Sequence, residues 1–238
     1  MVFTLQLRQI EVQPGQHLTL REITWDNFEA ILRDLGEHRA TRVAYYQGCL
    51  DIKRLLPEHE ITKELIGDLV KIMLDECAVD WEPYGSTTFT SPEMAAGIEP
   101  DHCFYIQNAA RMVGKQRVDL ATDPPPDLAI EIDVTSGQKP GFLTNYSGNK
   151  IDLISETRFL AFAALGVPEL WRYSDGKLEI FVFQSGVYLP VETSPTFPNL
   201  PVIEGILEFL KIGATAGATA ARRGFRQWLR SSVGGNDL

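Results

Sequence analysis

Residues 126–136 constrain this chain more than any other stretch. Pro124, Pro125 and Pro126 donate no backbone hydrogen bond, so they mark the entrance to a strand. The chain then runs through Leu128, Ala129, Ile130, Ile132 and Val134, the near-continuous apolar pattern of a strand covered on both faces. Glu131 and Asp133 interrupt it. Side chains alternate along a strand, so residues 127, 129, 131 and 133 share a face. Two carboxylates side by side on a buried face cost roughly several kcal/mol unless something compensates them. A metal ion, a cation or a proton is required there.

The rest of the chain supplies an ordinary globular setting for that strand. Its 238 residues suffice for one large domain, and 44% hydrophobic with 23% charged residues is a normal balance. No apolar run is long enough to span a bilayer, and Met1 to Leu7 lacks the basic start and cleavage site of a signal peptide, so a cytoplasmic location and no membrane partner are expected. Cys49, Cys77 and Cys103 are odd in number and never form a CxxC pair, which reads as packing in a reducing compartment. A net charge of −10 argues against static DNA binding by the whole surface. It leaves open a local basic groove, or an acidic site that needs divalent metal before DNA enters.

Pattern and punctuation place the elements. Phe3, Leu5, Leu7, Ile10 and Val12 alternate before a turn at Pro14-Gly15; Thr24 caps a helix that Gly36 stops; residues 42–47 and 49–55 form a hairpin about Gly48. Pro57 starts a helix with its stripe at Ile61, Leu65, Ile66, Leu69, Val70, Met73 and Leu74. Strand-like stretches follow at 79–90 and, as one central strand, 98–107; residues 108–125 are irregular and 137–150 form a long loop. A helix is expected over 155–165, strands over 169–173, 178–183 and near Tyr188, and helices over 203–212 and 214–231. The fold class expected is therefore α/β (α+β), a mixed central sheet flanked by helices with N-terminal hairpin elements. The organisation is one domain over 1–212, with a short extension before about residue 20, and a C-terminal basic helix and tail over 213–238.

Two Pro-Asp pairs stand near strands, at 100–101 and 126–127. Asp127 and Glu131 lie about 13 Å apart along one strand, too far to share an ion. Asp101, on a neighbouring strand, meets Glu131 across the pair. Two carboxylates open to water suit Mg²⁺ or Mn²⁺.

Gly-Ile-Glu-Pro-Asp (97–101), Asp-Leu-Ala-Ile-Glu-Ile-Asp-Val-Thr-Ser (127–136) and Ala-Ala-Leu-Gly-Val-Pro-Glu-Leu-Trp-Arg-Tyr (163–173) occur in that order. With Ile23–Ala30, Gly48–Asp51 and Gly186–Tyr188, the set resembles the Uma-two family of restriction-endonuclease-type proteins, a branch of the PD-(D/E)XK nuclease superfamily, over roughly residues 20–212. The resemblance implies a restriction-endonuclease-like core and a metal-dependent endonuclease that hydrolyses DNA phosphodiester bonds, acting as a homodimer. It implies Asp101 and Glu131 as metal ligands with the Ile132 carbonyl, and a helix glutamate, Glu60 or Glu64, as a further ligand. Asp133 occupies the place of the superfamily's lysine, where it would serve as a third ligand or a general base. The cation is then sought in Arg158, or in Lys139 or Lys150; arginine clamps phosphate but is a poor base.

Each assignment has a plain structural counterpart. The acids pair with arginine at a sheet edge, and Arg158 forms a salt bridge to Glu131 or Asp133. His59-Glu60 is half a zinc-protease motif without its second histidine, because position 63 is Lys63. His102 faces away from Asp101's side and reads as structural; Trp81 and Trp171 read as core. Arg222, Arg223, Arg226 and Arg230 form the solvated face of a packed helix, or contact DNA or a partner. The alternative to an endonuclease is a catalytically inactive nuclease-fold binding or assembly module.

Overall fold

The structure, a computed structural model, describes residues 10–36, 40–133, 142–144 and 150–233. The alternation at Phe3, Leu5 and Leu7, His38 and Lys139 lie outside the described residues. In chain order the elements are β1 (His17–Leu20), α1 (Trp25–Leu35), β2 (Thr41–Tyr46), β3 (Cys49–Arg54), α2 (Pro57–Glu76), β4 (Glu82–Pro83), β5 (Phe89–Ser91), β6 (Ala96–Ile98), β7 (His102–Tyr105) and α3 (Ala109–Met112). They continue with β8 (Leu128–Asp133), β9 (Phe142–Thr144), β10 (Lys150–Asp152), α4 (Leu153–Leu165), β11 (Glu169–Ser174), β12 (Lys177–Gln184), β13 (Val187–Val191), α5 (Val202–Ala216) and α6 (Ala218–Val233).

The chain groups into two compact units that interleave along the sequence. One comprises 1–56, 88–99 and 135–165. Its sheet is antiparallel, in the order β1-β3-β2-β6-β5, with the expected hairpin between β2 and β3. Gln47 and Gly48 both take positive φ, which a tight right-twisted hairpin turn demands. Helix α1 starts where the Thr24 side chain accepts the Asn27 N–H, and it ends at Gly36. It buries Phe28 against Tyr45, ring on ring at 4.5 Å, over Gly97, where a Cβ would stand 2.7 Å from the Phe28 ring.

The second unit comprises 57–87, 100–134 and 166–238. Its six-stranded mixed sheet has the order β13-β12-β11-β8-β7-β4, with β8 parallel to β11 and antiparallel to β7. Ile130 and Ile132 of β8, with Trp171, Leu178 and Ile180, bury against Ile66, Val70 and Met73 of α2 and against Ile206, Phe209 and Phe225 of α5 and α6. Each such fully buried side chain contributes about 1.5–3 kcal/mol. This is the mixed sheet with flanking helices that the sequence pattern implies.

Several stretches differ from expectation. Within the expected 137–150 loop, Phe142–Thr144 forms β9, which pairs antiparallel with β10 from Lys150. Residues 98–107 do not form one strand: Ala96–Ile98 pairs in the first sheet and His102–Tyr105 in the second. Pro100 lies between them, without a backbone donor for a ladder. Likewise 79–90 divides into β4 and β5, in different sheets. The expected helix over 203–212 runs on to Ala216, and Gly217, at φ 88°, separates it from α6. Trp171 is fully buried, with its indole N–H donated to Glu169 at 2.6 Å, and Trp81 packs edge-on to Phe104. Trp171 is a core residue, and Trp81 packs partly buried against the core.

Candidate active site on the central strand

The acids of β8 sit where the antiparallel ladder with β7 ends. His102 pairs with Ile130 and Cys103 with Ala129; one step further, the register brings Asp101 beside Glu131. Asp101 lies just before β7, and two hydrogen bonds fix it there. Its N–H donates to Ile130 O (3.1 Å), and its Oδ2 accepts the Ile132 N–H (2.8 Å). The carboxylate thus takes the place that a backbone carbonyl would occupy had the strand continued through Pro100. Asp101 and Glu131 are only 1% and 6% exposed.

A second donor reaches the same oxygen from α2. His59 Nε2 lies 3.0 Å from Asp101 Oδ2, and a carboxylate being acceptor only, the histidine donates. His59 is itself fully buried. Sequence reasoning set it aside as half of a zinc motif. The available signal was its phase: positions 59, 66, 70 and 73 recur on one helical face, so a histidine heads the buried stripe. On the other flank of Glu131, the parallel pairing places Arg172 of β11 in register with it. In-register residues share a face, so a cation neighbours the acid in this sheet, and it too went unread.

The other expected residues fall as follows. Asp133 ends β8, half-buried and in register with Ser174. The side chains of Glu60 and Glu64 are 45% and 62% exposed, and both face Lys63. Among the described residues no group of three or more His, Cys, Asp or Glu is assembled to hold a metal. Glu60 Oε1 also stands 3.5 Å from Nδ1 of His59, the residue whose Nε2 holds Asp101. In the other unit, buried Arg158 donates from Nη2 to Glu99 O (2.9 Å), and its Nη1 stands 3.6 Å from Asp51 Oδ2. Asp51, fully buried, also accepts from His17 Nδ1 at 3.2 Å.

His102 is structural, as expected: its Nε2–H donates to Lys63 O at 3.1 Å. Burial holds its imidazole below the ordinary value, and the Lys63 charge adds to this. Burial pushes the Cys103 thiol up, which keeps it protonated and inert. Asp127 is a scaffold residue. It accepts from the Ile106 and Asn108 N–H groups and the Asn108 side chain, at 2.7, 3.1 and 2.9 Å.

The chemistry of the donor set decides what it fits. Two carboxylates and the Ile132 carbonyl are all oxygen, with no thiolate, and too few to encage an ion without water. A hard cation that keeps its waters, Mg²⁺ or Mn²⁺, matches such a set; structural zinc does not.

Two buried acids, Asp101 and Glu131, thus stand side by side where the β7–β8 ladder ends. The chain belongs to the Uma2 family, whose model, described as "Putative restriction endonuclease", matches residues 25–210. A similar solved structure, from Anabaena variabilis, is titled a "putative nuclease belonging to DUF820". It is 15% identical, with a TM-score of 0.47, over 78% of this chain and 99% of that one. No curated protein matches the chain.

Proposed function

We propose that the protein is a metal-dependent endonuclease that hydrolyses phosphodiester bonds in DNA, working as a homodimer. The observation that carries this reading is the Asp101 carboxylate, buried and held by Ile132 N–H and His59 beside Glu131. Asp101, Glu131 and the Ile132 carbonyl would hold Mg²⁺ or Mn²⁺, which supplies polarisation of a phosphate oxygen and a water of lowered pKa. The chain's own residues do the rest. His59 and Ile132 N–H hold Asp101 in one orientation, and Asp133, half-buried at the strand end, would take a proton from water.

Asp133 also favours a second reading. Where the superfamily carries a lysine, an aspartate offers no positive charge to the transition state. A catalytically inactive nuclease-fold binding or assembly module follows from that substitution. Two measurements separate the readings. Mn²⁺ titration of wild type, Asp101→Ala and Glu131→Ala is expected to show binding that both variants lose; no binding by wild type refutes the metal site. Plasmid and single-strand cleavage with Mg²⁺ or Mn²⁺ then tests chemistry. Metal binding with every substrate left intact selects the binding module. Sedimentation of the purified chain tests the dimer.

A further inference from the structure

We propose that the groove between α2 and α6 grips the phosphate backbone of duplex DNA. Helix α6 carries Arg222, Arg223, Arg226 and Arg230 and no acidic residue. Its apolar side is already used: Ala221, Phe225 and Leu229 are buried in the core with α2 and α5. The helix therefore cannot lie apolar-face-down on a membrane, and its arginines turn outward. Together with Lys71 of α2 and Gln227 they line an open groove of about 650 Å³.

Two carboxylates of α2 face these five cations. Arg222 and Lys71 pair with Asp68 at 2.6 and 3.5 Å, while Arg226 and Arg230 share Glu76 at 3.1 and 2.8 Å. The surplus is positive on a chain whose net charge is −10. A guanidinium has five donors and a pair uses one or two of them, so the pairs orient the arginines without exhausting them. Positive charge concentrated against the sign of the whole molecule is the footprint of a polyanion site.

Spacing points to a repeating anion. Arg222, Arg226 and Arg230 recur every four residues, about 6 Å along the helix. That is of the order of the spacing between neighbouring phosphates on one strand of duplex DNA, which rises about 3.4 Å per step along the axis. The choice of DNA as the polyanion rests on the nuclease reading. Helix α2 runs through both places: His59 touches Asp101, and Asp68 lies about 14 Å further along it. A duplex held at the groove remains within one helical turn, about 34 Å, of the acids.

The test is fluorescence anisotropy of a labelled duplex with the full chain in EDTA, at salt between about 50 and 200 mM. Neutralising three phosphates predicts a log–log slope of about −2.7, a loss of about 40-fold across that range. Arg223→Ala removes an exposed groove cation outside these pairs and should flatten the slope by about 1. Gln227→Glu adds a carboxylate in the groove and should weaken binding at low salt. Thermal melts confirm that both variants fold. No salt-dependent binding by wild type overturns the proposal. So do wild-type affinities in both folded variants, or binding to phosphatidylserine vesicles with none to duplex. Because no cleavage is needed, a chain that cuts nothing still reports on the groove.

Discussion

Replacing Gly67 by alanine should destabilise the second unit, against the usual sign for such a change. In a helix interior Gly→Ala ordinarily gains about 0.8–1 kcal/mol, because alanine loses less backbone entropy. Here the His102 ring lies on Gly67. An added Cβ would stand 2.5 Å from its Nε2 and 2.9 Å from both Cδ2 and Cε1. The ring is stacked on Phe104 and bonded through Nε2 to Lys63 O, so it has little room to yield. Overpacking costs about 1–3 kcal/mol, and breaking a buried hydrogen bond about the same. After the propensity gain, the net loss should be about 1–5 kcal/mol. Urea denaturation reads this as a lower midpoint at unchanged slope. A second arm isolates the cause. In a His102→Ala background the clash is gone, and Gly67→Ala should then stabilise by up to about 1 kcal/mol. A raised midpoint for Gly67→Ala alone, or equal effects in the two backgrounds, refutes the reasoning.

Other consequences follow from the same geometry. His59→Ala should weaken Mn²⁺ binding about 10–100-fold, the usual cost of losing a group that orients a ligand, as read by titration calorimetry. Asp127→Ala strands the Ile106 and Asn108 N–H donors and should cost about 2–4 kcal/mol in chemical denaturation, with no effect expected on metal affinity beyond that of stability. Glu76 is held below its ordinary 4.5, first by its hydrogen bonds from Arg230, against an upward push from burial, with the charges of Arg230 and Arg226 adding to the lowering. A carboxylate depressed in the folded state stabilises above its unfolded pKa, and that stability is lost as pH falls through the folded value. Thermal midpoints of Glu76→Gln and wild type should therefore differ at neutral pH, and the difference should shrink as pH falls below the ordinary 4.5.

Local pattern carried much of this protein. The helix from Thr24 to Gly36, the Gly48 hairpin and the strand after Pro126 rest on caps, positive-φ turns and apolar runs, which neighbouring residues alone impose. The Asp101–Glu131 pairing was legible too, because an acid interrupting an apolar strand demands company and the Pro-Asp before the adjacent strand offered it. The division of 98–107 was not legible. Both halves favour strand, and only the sheets that receive them decide that Ile98 and His102 part at Glu99-Pro100. His59 and Arg172 escaped for the same reason. His59 lies 42 residues from Asp101, and Arg172 becomes a neighbour of Glu131 only once β11 pairs with β8. The sequence alone thus required that two buried acids be answered. Tertiary structure chose what answers them, because hydrogen-bond and ladder partners are selected by packing across distances that no local spacing encodes.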